Sequence, residues 1–406
     1  GLPLSGRRYN PGGHGESKWS QATQGDSSTG PDSIGGSSRH GDLQMPGGQG
    51  THVARRSSQF TDNTGSSGGN GVGPSPAMRS SNSQRFSITA WAKRAAERGG
   101  EVSVHGMQEI INIMQNGTSD QRLRATMALT NVLPDSDSNR MNAHTAGAIA
   151  VLVQLMKGLQ TDKRLARLAV ACLSNLSAEA ALKDPIASSG AIPLLVQHLD
   201  DSGSKDGKAA AAHAAATLWS VCIDMPHIKQ QVASKEIMTN LIKLLVSKEP
   251  TVRTQACGCV GELCVGSDQS IKDLLCQIGV IPLLVQSLGR VEHELQHLAS
   301  CAICNLVANN PQNKEETRRC GAVDIFCKLI VDSERVEHVR EAAAGGLYNV
   351  VTTADREIVA KSGALEVLQK YPAPHSKLIM QRLIGRTNSA KPQNKDENGN
   401  GDRPAE

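Results

Sequence analysis

The 406 residues leave room for two or three average domains or one long repeat array. A formal net charge of +4 is too small for the strongly basic, aromatic-interleaved face that nucleic-acid binding requires. Only 2% of the residues are aromatic, with Trp, Tyr and Phe present three times each. The core must therefore be built from Leu, Ile, Val and Ala, which suits close-packed helices better than a sandwich or a barrel. No stretch approaches the ~20 apolar residues of a membrane span, and no signal-peptide pattern is present, so a soluble chain is expected. It begins at Gly1 rather than a methionine, as expected of a fragment or a processed product.

Residues 1–85 are dominated by Gly, Ser, Gln, Asn and Pro, as in PGGHGESKWSQATQGDSSTGPDSIGGSS. Such a segment buries too little apolar surface to offset its ordering entropy, so disorder is expected. Within it, ARRSSQF and AMRSSNSQRFS place serines after arginines, which makes Ser57, Ser58, Ser80 and Ser81 candidate sites for basophilic kinases. FSITAWAKRAAERGG predicts a short linking helix within residues 86–100, running from about Ser87 to Arg98 and ended by Gly99 and Gly100. At the other end, residues 386–406 read as a second disordered tail.

From residue 101 to about 385 the chain repeats itself. GAIAVLVQLM begins at Gly147, GAIPLLVQHL at Gly190, GVIPLLVQSL at Gly279, GAVDIFCKLI at Gly321 and GALEVLQKY at Gly363. These starts are 42 or 43 residues apart except for one double step, filled by a degenerate unit, KEIMTNLIKLL, from Lys235. A helical period in the low forties marks an α-solenoid. A second register agrees: Asn131, Asn175, Ser220, Glu262, Asn305 and Asn349 occupy one position in six units. Six residues before each stands an alanine (Ala125, Ala169, Ala214, Ala256, Ala299 and Ala343), and one residue after each stands Val132, Leu176, Val221, Leu263, Leu306 or Val350. The alanine predicts close approach of neighbouring helices.

Gly-Ala-Ile-Pro-Leu-Leu-Val at a helix start, with Leu-Ser-Asn-Leu in a later helix, resembles the armadillo repeat. The resemblance covers residues 101–385 and implies an all-α, right-handed solenoid of about six to seven repeats. Each repeat would have a short first helix, a second helix, and a long third helix lining a concave groove. Units of this kind bury a shared core and are not stable singly. In relatives that bind extended peptides, asparagines of the third helix hydrogen-bond the ligand main chain, since a carboxamide donates and accepts at once. The resemblance thus implies partner-binding roles for Asn131, Asn175, Asn305 and Asn349, with Ser220 and Glu262 breaking the series. Trp219 and Tyr348, one residue before the series, are expected as aromatic contact anchors.

Nuclear-import adaptors of this family carry tryptophans four residues before the asparagine. Here Met127, Ala171, Ala216, Gly258, Cys301 and Gly345 stand there, which argues against that function. A chaperone nucleotide-exchange cofactor is the other alternative. The expected role is a non-enzymatic scaffold or adaptor for a protein or peptide partner, without a cofactor, in the cytoplasm or shared between cytoplasm and nucleus.

HELQH, residues 293–297, matches the H-E-x-x-H zinc pattern. In the repeat register, however, Leu295 is equivalent to Leu165, Val252 and Val339, and His297 to the variable Arg167, Ala212, Thr254 and Glu341. No third ligand stands out, so the match reads as a drifted repeat rather than a peptidase site. Cys301-Ala-Ile-Cys304 and Cys257-Gly-Cys259 lack a second pair at zinc spacing. Cys222 and Cys264 fall where other units carry Leu133, Val307 and Val351, a core position. All ten cysteines are expected as free, mostly buried thiols of a reducing compartment. DDSGSKDGK, residues 200–208, reads as a solvated spacer between helices.

Overall fold

A computed structural model describes residues 101–384, apart from 135, 159–161, 201–202, 267–268, 333–335 and 372–374. Both tails, the 86–100 segment and the four candidate phosphorylation serines lie outside the described residues. Among the described residues there are helices and turns but no strand.

An opening pair, α1 (Val104–Asn116) and α2 (Ser119–Val132), precedes five three-helix units. The first unit is α3 (Asp137–Thr145), α4 (Ala148–Lys157) and α5 (Lys163–Leu176). The second is α6 (Lys183–Ser188), α7 (Ala191–Val196) and α8 (Lys205–Cys222). The third is α9 (Pro226–Val232), α10 (Lys235–Leu244) and α11 (Pro250–Cys264). The fourth is α12 (Gln269–Gln277), α13 (Val280–Leu288) and α14 (His293–Val307), and the fifth α15 (Pro311–Arg319), α16 (Ala322–Val331) and α17 (Glu337–Val350). A short last unit, α18 (Arg356–Lys361), α19 (Ala364–Lys370) and α20 (Ser376–Ile384), closes the stack.

The repeat glycines explain the sharp corner between first and second helices. Gly147, Gly190, Gly279, Gly321 and Gly363 all sit at φ between 78° and 88°, where a Cβ is strained. At Gly147, Gly190, Gly279 and Gly321 an added Cβ would meet nothing within 4 Å, so backbone conformation alone calls for glycine. The degenerate unit solves the corner differently. Ser234 has φ −73° and its side chain caps the Ile237 N–H of α10, so no glycine is needed.

Third helices stack on one another in order, α2 on α5, α5 on α8, and so on to α17 on α20. The alanine register forms the seam: Ala125, Ala169, Ala214, Ala256, Ala299 and Ala343 are all at most 1% exposed. Leu165, Val252, Leu295 and Val339 are buried together, which places HELQH in the repeat register as an ordinary start of a third helix. The 200–208 spacer is shorter than expected, because Ser204 caps α8 and Lys205 already belongs to it. An alanine-rich run, KAAAAHAAA, has high helix propensity and extends the helix backwards.

A row of buried lysines ties the first helices of the second, third and fourth units to the ends of their own third helices. Lys183 Nζ donates to the Ile223 carbonyl at 3.0 Å, Lys229 to Val265 at 2.9 Å, and Lys272 to Ala308 at 3.1 Å. These carbonyls follow the last turns of α8, α11 and α14, where helix geometry leaves acceptors unpaired. In the fifth unit Arg318 takes the place, donating through Nε and Nη2 to both oxygens of Asp355 at 3.0 and 2.8 Å. Burial raises the Asp355 carboxyl, but hydrogen bonds from Arg318 and Thr352 outweigh it and hold it below the ordinary aspartate value.

That depressed value has a measurable consequence. An acid with a lowered folded pKa stabilises the fold above its unfolded pKa, and the contribution disappears as pH falls through the folded value. Asp355→Asn is expected to cost about 2 kcal/mol at neutral pH, with the difference from the parent chain shrinking below about pH 4. Urea unfolding of both proteins at neutral and acid pH tests this; a pH-independent difference would contradict it.

Candidate groove and its asparagine register

The series occupies one register position near the end of each third helix, and its members differ sharply in what they touch. Asn131, near the end of α2, is exposed. Asn175 is half-buried, and its Nδ2 donates a long bond, 3.4 Å, to the carbonyl of Thr130 on the preceding third helix. Ser220 is 5% exposed and its hydroxyl donates to the Ser177 carbonyl at 2.5 Å. Glu262 forms an ion pair with Lys229 at 2.7 Å, both side chains being nearly buried. Burial raises the Glu262 carboxyl above the ordinary range and outweighs the opposing attraction of Lys229.

Asn305 and Asn349 are different. They are 5% and 9% exposed; Nδ2 of Asn305 is buried without a hydrogen-bond partner, and that of Asn349 meets only the Cys304 thiol. A buried donor left unsatisfied costs about 1–3 kcal/mol, so such groups in a native fold call for an explanation.

The two aromatic residues lie inside the stack. Trp219 is 9% exposed and its ring rests on Gly258 of the next third helix, where an added Cβ would come within 2.4 Å of it. Tyr348, 7% exposed, is covered by the last unit. The Arg382 guanidinium stands 4.0 Å from its ring centroid and donates to its carbonyl at 2.7 Å, while the His375 ring lies 5.6 Å away. Neither ring stands open on the groove. Sequence spacing had no means of placing them, because Gly258 on the neighbouring helix receives the Trp219 ring and the last unit covers Tyr348. For Trp219 the signal lay in Gly258, a helix-interior glycine that marks close approach.

At the start of α14, His297 Nδ1 is 3.3 Å from the His338 carbonyl, and its Nε2 is 3.8 Å from Cys301 Sγ. Among the described residues no group of three or more His, Cys, Asp or Glu is placed to hold a metal ion. All ten cysteines are free, and burial pushes the Cys222 and Cys264 thiols up to about 12. No single described helix is long and apolar enough to cross a membrane.

Three-helix units, a glycine corner between the first two helices and a stacked third-helix face together define an armadillo-type α-solenoid. A HEAT-repeat family model matches residues 237–266, the unit whose corner lacks the glycine. Over 107 residues the chain is 36% identical to importin subunit alpha-1b of Oryza sativa subsp. japonica and 34% identical to importin subunit alpha-2 of Arabidopsis thaliana. Each match takes in 26% of this chain and 20% of the relative, so the likeness spans a fifth of those proteins. Among solved structures, an engineered protein superposes with a TM-score of 0.59 at 22% identity, covering 69% of this chain and 67% of its own. A designed armadillo repeat protein gives 0.54 at 21% identity over 60% of this chain and 100% of its own. A related design solved in complex with the peptide (KR)4 gives 0.53 at 20% identity, covering 60% and 99%. At these identities the shared property is the fold.

Proposed function

We propose that the chain is a non-enzymatic scaffold or adaptor whose third-helix face binds an extended stretch of a partner protein. The observation that supports this most directly is the pair of buried carboxamide donors at Asn305 and Asn349, the first without a partner and the second facing only a thiol. Equivalent positions on adjacent third helices repeat the same unmet donor, as the main chain of an extended peptide repeats its acceptors. Asn131 and Asn175 continue the row toward the amino end, with Ser220 and Glu262 engaged internally between them. Among solved likenesses, a designed armadillo repeat protein is complexed with a peptide, which supports the same mode.

An import-adaptor role is the weaker reading, since Met127, Ala171, Ala216, Gly258, Cys301 and Gly345 stand where tryptophans would clamp basic cargo. The importin-alpha likeness, partial as it is, favours a cytoplasmic and nuclear setting. To test the reading, extended peptides would be selected from a displayed random library on the full chain and measured by fluorescence anisotropy. Replacing Asn131, Asn175, Asn305 and Asn349 together by alanine, with circular dichroism unchanged, is expected to weaken the best peptide by more than about ten-fold. Undiminished binding to the folded variant would move the partner site off this face.

A further inference from the structure

The stack opens on an incomplete unit. In every later unit a first helix of six to nine residues comes just before the corner residue. By register α1 and α2 are a second and a third helix. Ser103 stands 28 residues before Asn131, the spacing from Gly147 to Asn175 and from Ser234 to Glu262. Its hydroxyl accepts from the Gly106 N–H at 3.2 Å, as Ser234 caps that of Ile237. Among the described residues no first helix precedes this corner.

The apolar surface there is correspondingly less covered. Directly after the corner glycines stand Ala148, Ala191, Val280, Ala322 and Ala364, all 0% exposed. The degenerate unit has the exposed Lys235 in that place. Val104, the opening unit's equivalent, is apolar yet only half-buried, and Ile113 and Leu123 are also only partly buried.

The incoming chain is held where a first helix would stack. Neighbouring first helices touch along the array: Asn310 Nδ2 donates to Asp273 Oδ1 at 2.8 Å, and Asn313 Nδ2 to the Lys272 carbonyl at 3.5 Å. Asn139 of α3 matches Asn313, each standing eight residues before its corner glycine. Both donate to the carbonyl just after the series residue, Val132 at 2.9 Å and Leu306 at 3.2 Å. Where Asn313 also reaches the preceding first helix, Asn139 Oδ1 accepts from the Val102 N–H at 2.7 Å, and Asn142 Nδ2 donates to the Val102 carbonyl at 2.9 Å. Val102, 0% exposed, is thus pinned to α3.

We infer that residues 87–98, which lie outside the described residues, dock on this face as the first helix of the opening unit. The sequence supplies the matching surface: Ile88, Trp91, Ala92 and Ala95 follow the i, i+3, i+4, i+7 pattern of one helical stripe. Lys93, Arg94, Glu97 and Arg98 fall off the stripe and give the cover the polar outer face that a terminal repeat requires. Residues 99–101 join the segment to the pinned Val102, so it can reach no distant part of the stack.

The experiment is hydrogen exchange read by mass spectrometry on the full chain, with Ile88→Ser/Trp91→Ser on the stripe and Lys93→Ser/Glu97→Ser off it. In the parent, amides 87–98 are expected to exchange at least about ten-fold more slowly than an unstructured chain, at any protein concentration. Ile88→Ser/Trp91→Ser is expected to abolish that protection and to speed exchange in α1 by about three-fold or more, with α14 and α17 unchanged. Lys93→Ser/Glu97→Ser is expected to leave both regions within about two-fold of the parent. Unprotected exchange of 87–98 in the parent would overturn the inference, as would α1 indifferent to the stripe substitutions. Protection that rises with protein concentration would give the face to a second copy of the chain and overturn it equally.

Discussion

Replacing Lys229 by methionine is expected to lower the unfolding free energy by about 3–5 kcal/mol, read as a lower urea midpoint. Lys229 supports two groups at once, the Val265 carbonyl at 2.9 Å and the Glu262 carboxylate at 2.7 Å. Methionine fills much of the volume but removes the charge, leaving a carboxylate that is only 12% exposed without its ion-pair partner. The pH dependence then has a definite sign. Burial already raises the Glu262 carboxyl in the parent chain, and without Lys229 nothing comparable opposes it. A folded state that holds its proton to higher pH than the unfolded chain loses stability as pH rises through that interval. The variant is therefore expected to be less impaired at about pH 5 than at about pH 8. Lys229→Met/Glu262→Leu removes the stranded charge and is expected to recover most of the loss. A double variant as unstable as Lys229→Met alone would show that the lysine acts through packing or the Val265 carbonyl instead.

Gly346→Ala is expected to destabilise the fold by about 2 kcal/mol, although alanine is the better helix former by ~1 kcal/mol. A Cβ at this position would lie 2.4 Å from the Phe326 ring, and Phe326 is wholly buried. Overpacking of this kind costs about 1–3 kcal/mol, occasionally more, and so severe an overlap belongs at the upper end. The companion change Phe326→Leu withdraws the ring, so Gly346→Ala/Phe326→Leu should be more stable than the sum of the single changes allows. A double-mutant cycle measured by urea unfolding gives the coupling directly. Additivity within about 0.5 kcal/mol would mean that the ring and the glycine do not meet in solution.

Residues whose role is set by the local backbone were legible from the start. A glycine repeated every 42 or 43 residues marked the start of each second helix, whose positive φ the structure then supplied, and the alanine register announced the close-packed seam. Both follow from the conformational freedom of glycine and the small size of alanine, which travel with the residue wherever it is placed. HELQH could be dismissed on the same basis, because Leu295 keeps the apolar periodicity of its unit and is fully buried.

The polar series was legible as a register but not as a set of contacts. Asn175 and Asn349 have the same spacing and the same chemistry, yet one reaches a carbonyl and the other faces a thiol. Ser220 and Glu262 looked like interruptions of a binding row, whereas each is engaged by a group from another element. Lys183, Lys229 and Lys272 have ordinary helical surroundings in the sequence, and only the folded stack brings each to a carbonyl some 36 to 40 residues away.

By itself the sequence determined the helical class, the period, the helix starts and the buried seam, since these depend on propensity and periodicity within one or two turns. The tertiary structure alone decided which rings turn inward, which cations are buried and which carboxamides remain unmet. Those outcomes depend on the few ångströms between neighbouring helices, and that distance is set by residue pairs such as Trp219 with Gly258 and Phe326 with Gly346.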